Sequence, residues 1–159
     1  RYALQERLGA AYEEQGYIRL DRGRYTVAKT FDDSLRITGR FVNVLDPTLP
    51  VVDEVQLQPD ELALLRDVAP DCGGEPRMLF CSSCVEWRSE TPDRLAAIVS
   101  SAGGTVGACR VFTGGKRGTV RAIDARGKDV AVHTSVEADT LLLEYPNSPF
   151  GVALEVAWE

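Results

Sequence analysis

The sequence has 159 residues, 44% of them apolar, and a formal net charge of −6. This length supports one substantial core, or one core with a smaller satellite. An acidic balance argues against nucleic-acid binding over the whole surface, because phosphate backbones need a positive footprint. No apolar run approaches the roughly 20 residues that cross a bilayer, and no secretory signal is present, so neither membrane spanning nor signal-driven export is expected. The chain opens on Arg1 and its only methionine is Met78, which indicates a fragment of a longer protein.

The first third of the chain predicts a helix followed by a small antiparallel sheet. Leu4, Leu8, Ala11 and Tyr12 share one helical face over residues 3–15, and Gly16 is placed to end the helix. Short β-prone runs follow over 17–20, 25–31, 35–44 and 51–57, separated by turn residues.

A second helix is predicted from Pro59 to about Pro70, with Leu62, Leu65 and Val68 on one face. The stretch from 70 to 76 has the composition of a connector. The sequence therefore predicts two units: an α+β extension or cap over 1–75 and a second domain over 76–159.

The second unit reads as strands alternating with helices. Met78 to Phe80 is a continuous apolar run, typical of a strand covered on both faces. Thr91 is placed as the N-cap of a helix whose buried stripe has helical spacing: Leu95, Ile98, Val99 and Ala102. Gly103-Gly104 ends it. Further strands are predicted over 105–112, 129–136 and 151–158, a short helix over 138–145, and a basic loop over 113–128. The fold class expected is α/β, with a largely parallel sheet flanked by helices.

The spacing of the four cysteines permits two interpretations. Cys81 and Cys84 form a C-x-x-C pair, and Cys72 and Cys109 could complete a zinc site. However, Cys72 and Cys109 are isolated, whereas zinc ribbons supply two close pairs. Cys81 and Cys84 need not face the same way if they straddle a strand end. Free cysteines in a reducing compartment are the preferred interpretation, with no metal and no cofactor.

In the order of these features, the region 76–159 resembles a BRCT domain. The features are the strand that ends in the polar loop Cys81-Ser82-Ser83, the helix that ends at Gly103-Gly104, the strand carrying His133, and the final strand with Trp158. The resemblance implies a four-stranded parallel sheet flanked by helices. It also implies a non-catalytic protein-interaction module of a larger nuclear scaffold protein, acting in chromosome maintenance, DNA repair or at the kinetochore.

The resemblance further implies a phosphate pocket, with a phosphorylated peptide as one candidate ligand. Ser82 and Ser83 match the hydroxyl and the backbone N–H of that pocket. The family's basic residue has no counterpart, because residues 135–148 contain no Lys or Arg. Arg110, Lys116 or Arg117 would then supply the charge. A purely structural role for Ser82 and Ser83 remains the alternative.

Two other functions are kept open. A thiol- or metal-dependent enzyme would use Cys81, Cys84 and His133, although nothing in the sequence brings them together. The basic residues between 116 and 128 could give a weak DNA contact. A protein partner, no membrane and a nuclear location are the expectations taken forward.

Overall fold

The computed structural model describes residues 15–159, so the predicted helix over 3–15 falls almost wholly outside the described residues. Within 15–159 the regular structure consists of β-strands and one 3-10 turn, Ala69–Asp71, with no α-helix. The strands, in chain order, are β1 Tyr17–Arg22, β2 Tyr25–Thr30, β3 Leu35–Asn43, β4 Val51–Leu57, β5 Leu62–Asp67, β6 Arg77–Cys81, β7 Cys84–Thr91, β8 Arg94–Ser100, β9 Val106–Phe112, β10 Gly118–Asp124, β11 His133–Glu137, β12 Thr140–Pro146 and β13 Val152–Trp158.

The predicted α/β class is therefore wrong, and with it the BRCT resemblance. Every strand pairing among these thirteen is antiparallel. A BRCT domain needs a parallel sheet flanked by helices, and the region 76–159 has neither. No helix among residues 15–159 is long and apolar enough to cross a membrane.

The first unit is a five-stranded sheet in the order β1-β2-β5-β3-β4, called here the N-terminal sheet. Its first four strands confirm those predicted from the sequence. The helix predicted from Pro59 to Pro70 is wrong, because that segment forms β5. In β5, Ala63 and Leu65 are buried, while Leu62 and Leu64 occupy the opposite face. Apolar residues on both faces produce the three- and four-residue spacing that imitates a helix.

The second unit is a sandwich of two four-stranded sheets. The inner sheet has the order β11-β12-β9-β6, and the outer sheet has the order β10-β13-β8-β7. Side chains of both sheets meet in one core, which includes Cys109, Tyr145, Leu154 and Trp158. Trp158 thus fills the space between two sheets rather than packing under a helix, and apolar burial of this kind is the main stabilising term of a sandwich.

The central strands of the inner sheet, β12 and β9, are covered on both faces, whereas the edge strand β11 is exposed. The second face of the inner sheet packs against Val42, Leu49 and Val68 of the first unit and contributes Leu79, Ala108, Phe112 and Leu142 to that contact. Burial on both sides explains the run Leu141-Leu142-Leu143, which is apolar without alternation. The helix predicted over 138–145 is wrong for this reason, since a fully buried strand has no polar face to reveal its period.

The helix predicted from Thr91 to Ala102 is also wrong. Thr91 ends β7, and β8 follows after a two-residue turn. Leu95, Ala97 and Val99 alternate into the core with the period of a strand. Gly104, with φ of 77°, lies in the turn that leads to β9 rather than at the end of a helix.

A buried guanidinium joins the two units. Arg110 lies in the middle of β9 with only 2% of its surface exposed. Its side chain donates to the carbonyl oxygens of Thr48 (2.6 Å) and Leu49 (2.9 Å) and to the Thr140 hydroxyl (3.2 Å). Desolvation lowers the pKa of Arg110, and the nearest carboxylate, Glu137 at 3.5 Å, is itself mostly exposed. Arg110 therefore serves as a clamp that satisfies backbone groups at the junction.

A second polar contact joins the units at Asp71, which is 8% exposed. Its carboxylate lies 2.5 Å from Arg24, 3.6 Å from Arg66 and 3.9 Å from Arg77. Arg24 and Arg66 belong to the N-terminal sheet, and Arg77 begins β6. One carboxylate thus holds together three cations from both units.

Candidate functional site

The outward face of the outer sheet is open, unlike that of the inner sheet. Register partners across its four strands align an apolar row: Ile123, Ala153, Ile98 and Trp87. The row crosses the sheet at right angles to the strands and spans about 14 Å, given strand spacings of about 4.8 Å. Trp87 is 51% exposed and Ile98 is 38% exposed. A solvent-facing strand surface normally carries polar residues at these positions.

The small side chains in the middle of this face leave a hollow. It has a volume of about 370 Å³, and Trp87, Ala96, Ile98, Ile123 and Ala153 are among its lining residues. Ala96 and Ala153 keep the floor low, while the larger side chains on either side form walls. This size lies within the range of about 300–1,000 Å³ for ligand sites.

Paired charges border the hollow. The Arg94 guanidinium lies 2.8 Å from the Glu155 carboxylate, and Arg121 lies 3.1 Å from Asp129. Arg94, Arg121 and Glu155 line the hollow and Asp129 lies just outside it, so each arginine at the rim has a carboxylate partner. A polyanion would gain little here, whereas an apolar centre within a polar rim is the usual anatomy of a protein interface. We call this surface, with its hollow and its two ion pairs, the outer-sheet face.

The serines predicted to bind phosphate lie elsewhere, in the turn between β6 and β7. The Ser82 hydroxyl oxygen accepts a hydrogen bond from Ala108 N (2.8 Å). Ser83 is buried, donates to Asn147 Oδ1 (2.8 Å) and accepts from the Tyr145 hydroxyl (3.0 Å). Both hydroxyls therefore have partners within the protein.

The basic residues proposed for that pocket do not approach the serines. Arg110 is the buried clamp described above. Lys116 donates to the Pro92 carbonyl (2.6 Å) and lies 3.1 Å from Glu75, and Arg117 is exposed beside it. Ser82 is opposite the start of β9, whereas Lys116 and Arg117 follow its end, about 13 Å further along. The structure does not gather these five residues, and phosphate recognition stays an untested prediction.

The residues of the alternative enzyme are also separated. His133 is exposed and pairs with Glu144 (3.1 Å) at the far edge of the inner sheet, about 14 Å from Ser82 across three strand spacings. Cys84 is opposite Ser100 on the outward side of the outer sheet, while Cys81 packs on the sandwich core. Among residues 15–159, no three His, Cys, Asp or Glu side chains converge as a metal site.

The structure does bring Cys81 to a different thiol. Cys81 in β6 is the register partner of Cys109 in β9, and both side chains belong to the sandwich core. The Cys81 sulfur is 3.2 Å from the Tyr145 hydroxyl. The sequence contains no signal for this pair, because 27 residues and two strands of the other sheet lie between the cysteines.

Gly107 makes the close packing around these groups possible. A Cβ at this position would lie 2.5 Å from a Tyr145 ring carbon, 2.6 Å from Asn147 Oδ1 and 2.7 Å from Ser83 Oγ. We expect Gly107→Ala to lower the free energy of unfolding by about 2 kcal/mol, because three hydrogen-bonded groups must move. Urea unfolding measures the effect. Gly103→Ala is the control, since its added carbon would meet only Pro149 Cδ at an ordinary 3.5 Å and Gly103 does not have the positive φ that strains an alanine. An equal loss in both variants would contradict the packing argument.

Over residues 15–159 the fold is all-β, and the outer-sheet face is an open surface with an apolar centre. Comparison with known proteins adds no family assignment: no protein-family model, no curated protein and no solved structure matches the chain.

Proposed function

We propose that this chain is a non-catalytic protein-interaction module, and that it binds a partner protein through the outer-sheet face. The observation that carries the proposal is the apolar row from Trp87 to Ile123, with a hollow between them. The partner would present an extended or turned segment whose apolar side chain enters the hollow. The nuclear and chromosomal setting depended on the BRCT resemblance and is not part of this proposal.

The edge of the outer sheet favours binding to the face rather than pairing with β7. Although β7 is an edge strand, a register shift between Val85 and Trp87 interrupts its ladder. Arg88 and Glu90 are opposite core residues of β8 and so face inward, and Glu90 accepts a hydrogen bond from Met78 N (2.8 Å). Bulges and inward-facing charges are devices that prevent strand addition. The apolar row on the face therefore remains as the surface for a partner.

The paired charges around the outer-sheet face favour a protein partner over nucleic acid. The two ion pairs leave no net positive potential for nucleic acid, and the apolar centre with an exposed tryptophan matches the residues that dominate protein interfaces. A segment with an aromatic or aliphatic anchor and neutral or mixed charge fits this surface best.

The test uses displayed random peptides selected on the full chain. Peptides that bind should shift the fluorescence of Trp87 to shorter wavelength, because its ring becomes buried, while Trp158 is already buried. Trp87→Ala should weaken the selected peptides by about 30-fold, the size of a typical hot spot. Ala153→Arg should abolish binding by filling the hollow.

Val136→Ala is the matched control, because Val136 is an exposed apolar residue on the edge strand β11. It should leave affinity unchanged. Failure to select any peptide, or peptides insensitive to both changes in the face, would refute the proposal. So would preferential binding of single-stranded DNA or of oligosaccharides at Trp87, each of which would indicate a different class of ligand.

A further inference from the structure

A second site, independent of the outer-sheet face, lies at the edge of the sandwich where β6 and β9 pair. The backbone there defines which residues are closest. Ser82 N donates to the Ala108 carbonyl (2.9 Å), so Ser82 and Ala108 form a hydrogen-bonded pair. The pair next to it, Cys81 with Cys109, is therefore a non-hydrogen-bonded pair.

That position sets the separation of the two cysteines. In antiparallel strands, the Cα atoms of a non-hydrogen-bonded pair are about 4.5 Å apart. The side chains of such a pair are closer together than those of a hydrogen-bonded pair. A disulfide requires Cα atoms about 4.4–6.8 Å apart. Since both thiols point into the same core, the strands already hold the sulfur atoms where a bond between them can form without a change of register.

The two cysteines differ in accessibility and in surroundings. Cys109 is fully buried and Cys81 is partly exposed at the edge. Hydrogen bonding from the Cys109 thiol, and then from the Tyr145 hydroxyl and from Ser83, outweighs burial and lowers the pKa of Cys81 to about 6. The same contact and complete burial raise the pKa of Cys109. The more accessible sulfur, that of Cys81, is therefore the one that ionises first, with the buried Cys109 thiol beside it.

From this arrangement we propose that Cys81 and Cys109 form a redox-active dithiol that reacts with small hydroperoxides, with Cys81 as the attacking residue and Cys109 as the resolving residue. The Cys81 sulfur attacks the terminal peroxide oxygen, the O–O bond breaks, and the other oxygen takes a proton and leaves as an alcohol or water. Cys81 becomes a sulfenic acid. The Cys109 sulfur then attacks the Cys81 sulfur, the S–O bond breaks, and water leaves with the Cys109 proton. Two thiols have lost two electrons, and the peroxide bond has gained them.

Cys84 is the obvious competitor and the structure disfavours it. It is the exposed half of the C-x-x-C pair, but it lies on the outward side of the outer sheet, whereas Cys81 points into the sandwich. A Cys81–Cys84 bond would need the turn between β6 and β7 to be rebuilt, including the hydrogen bonds of Ser82 and Ser83.

The test treats the full chain with hydrogen peroxide and maps its cysteines by mass spectrometry. The wild type and Cys84→Ser should each lose about 2 Da and yield a linked Cys81–Cys109 peptide pair. Cys109→Ser should instead accumulate a sulfenic acid at Cys81 that dimedone traps. A Cys81–Cys84 bond, oxidation at Cys84 alone, or no bond in Cys84→Ser would overturn the proposal. If Cys109→Ser does not fold, the wild type and Cys84→Ser still show which two cysteines form the disulfide.

A second measurement follows the pH dependence of alkylation at Cys81 by iodoacetamide. Thiolate, not thiol, reacts, so the rate should rise through a midpoint near pH 6, well below the value of about 8.5 for an ordinary cysteine. The single Tyr145 hydroxyl proton lies between the Ser83 oxygen (3.0 Å) and the Cys81 sulfur (3.2 Å), and it can turn to the sulfur when Cys81 ionises. Tyr145→Phe removes that donor and should move the midpoint to higher pH. A midpoint at the ordinary value in the wild type would show that the pair lacks the activated thiolate.

Discussion

Replacing Arg110 by methionine should lower the free energy of unfolding by about 3 kcal/mol. The substitution keeps most of the volume of the side chain but removes its hydrogen bonds to the carbonyl oxygens of Thr48 and Leu49. The Leu49 acceptor is buried and the Thr48 acceptor partly buried, and a buried acceptor left without a partner costs about 1–3 kcal/mol. Part of that loss is offset, because a buried cation that lacks a buried carboxylate no longer has to be desolvated.

Two further variants separate the clamp from the charge. Arg110→Lys keeps the cation but cannot reach three acceptors at once, so about half of the loss should remain. Arg126→Met changes an exposed arginine and should have almost no effect. Urea unfolding at neutral pH, followed by fluorescence, measures all three. If Arg110→Lys is as stable as the wild type, the several hydrogen bonds of the guanidinium do not stabilise the protein beyond what a single cation does.

Replacing Asp71 by asparagine should lower the free energy of unfolding by about 2 kcal/mol. Asparagine preserves the shape but leaves the guanidinium groups of Arg24, Arg66 and Arg77 close together without their shared anion. Removing one partner from a buried ion pair typically costs about 3–5 kcal/mol, and these arginines are partly exposed, which reduces the figure.

Salt distinguishes this effect from a simple loss of packing. Raising the ionic strength from about 0.05 M to about 0.5 M should restore part of the stability of Asp71→Asn, because counterions screen the remaining arginines. Asp32→Asn, in the exposed turn between β2 and β3, serves as the control and should show neither the loss nor the restoration. A loss that is independent of salt would contradict the electrostatic explanation.

The strands of the chain were easier to predict than their arrangement. Runs bounded by turn residues located β1 to β4, β6, β9 and β13, since strand period and turn chemistry are local properties. The pairing that makes every sheet antiparallel depends on contacts between distant segments. No local sequence pattern reports those contacts. The predicted alternation of helices and strands therefore led to an α/β fold class, which is wrong.

The wrong helices share one physical cause, which is apolar residues on both sides of a strand. In β12 the cause is burial on both faces of the inner sheet. In β8 only one side is buried: Leu95, Ala97 and Val99 face the core, while the apolar Ala96 and Ile98 belong to the open outer-sheet face. Ile98 was part of the stripe that made β8 look helical, and it is also one of the residues proposed to contact a partner. Local rules often fail at functional surfaces for this reason.

The thiol pair could not have been found from spacing. The C-x-x-C pattern drew attention to Cys81 and Cys84, which face different ways, and the true neighbour of Cys81 is in β9. Cross-strand neighbours are set by register, and register here includes a shift between Met78 and Phe80 that no sequence rule locates.

The Arg110 clamp also constrains how the chain can change over time. Leu49 is buried and has a φ of 47°, a backbone conformation that a branched side chain rarely adopts, and its carbonyl oxygen is one of the acceptors of Arg110. Substitutions at the two positions are therefore coupled: glycine at 49 would relieve the backbone but empty the core, and a residue at 110 that cannot donate hydrogen bonds would release the loop. Among divergent sequences with this fold, we therefore expect positions 49 and 110 to vary together or not at all.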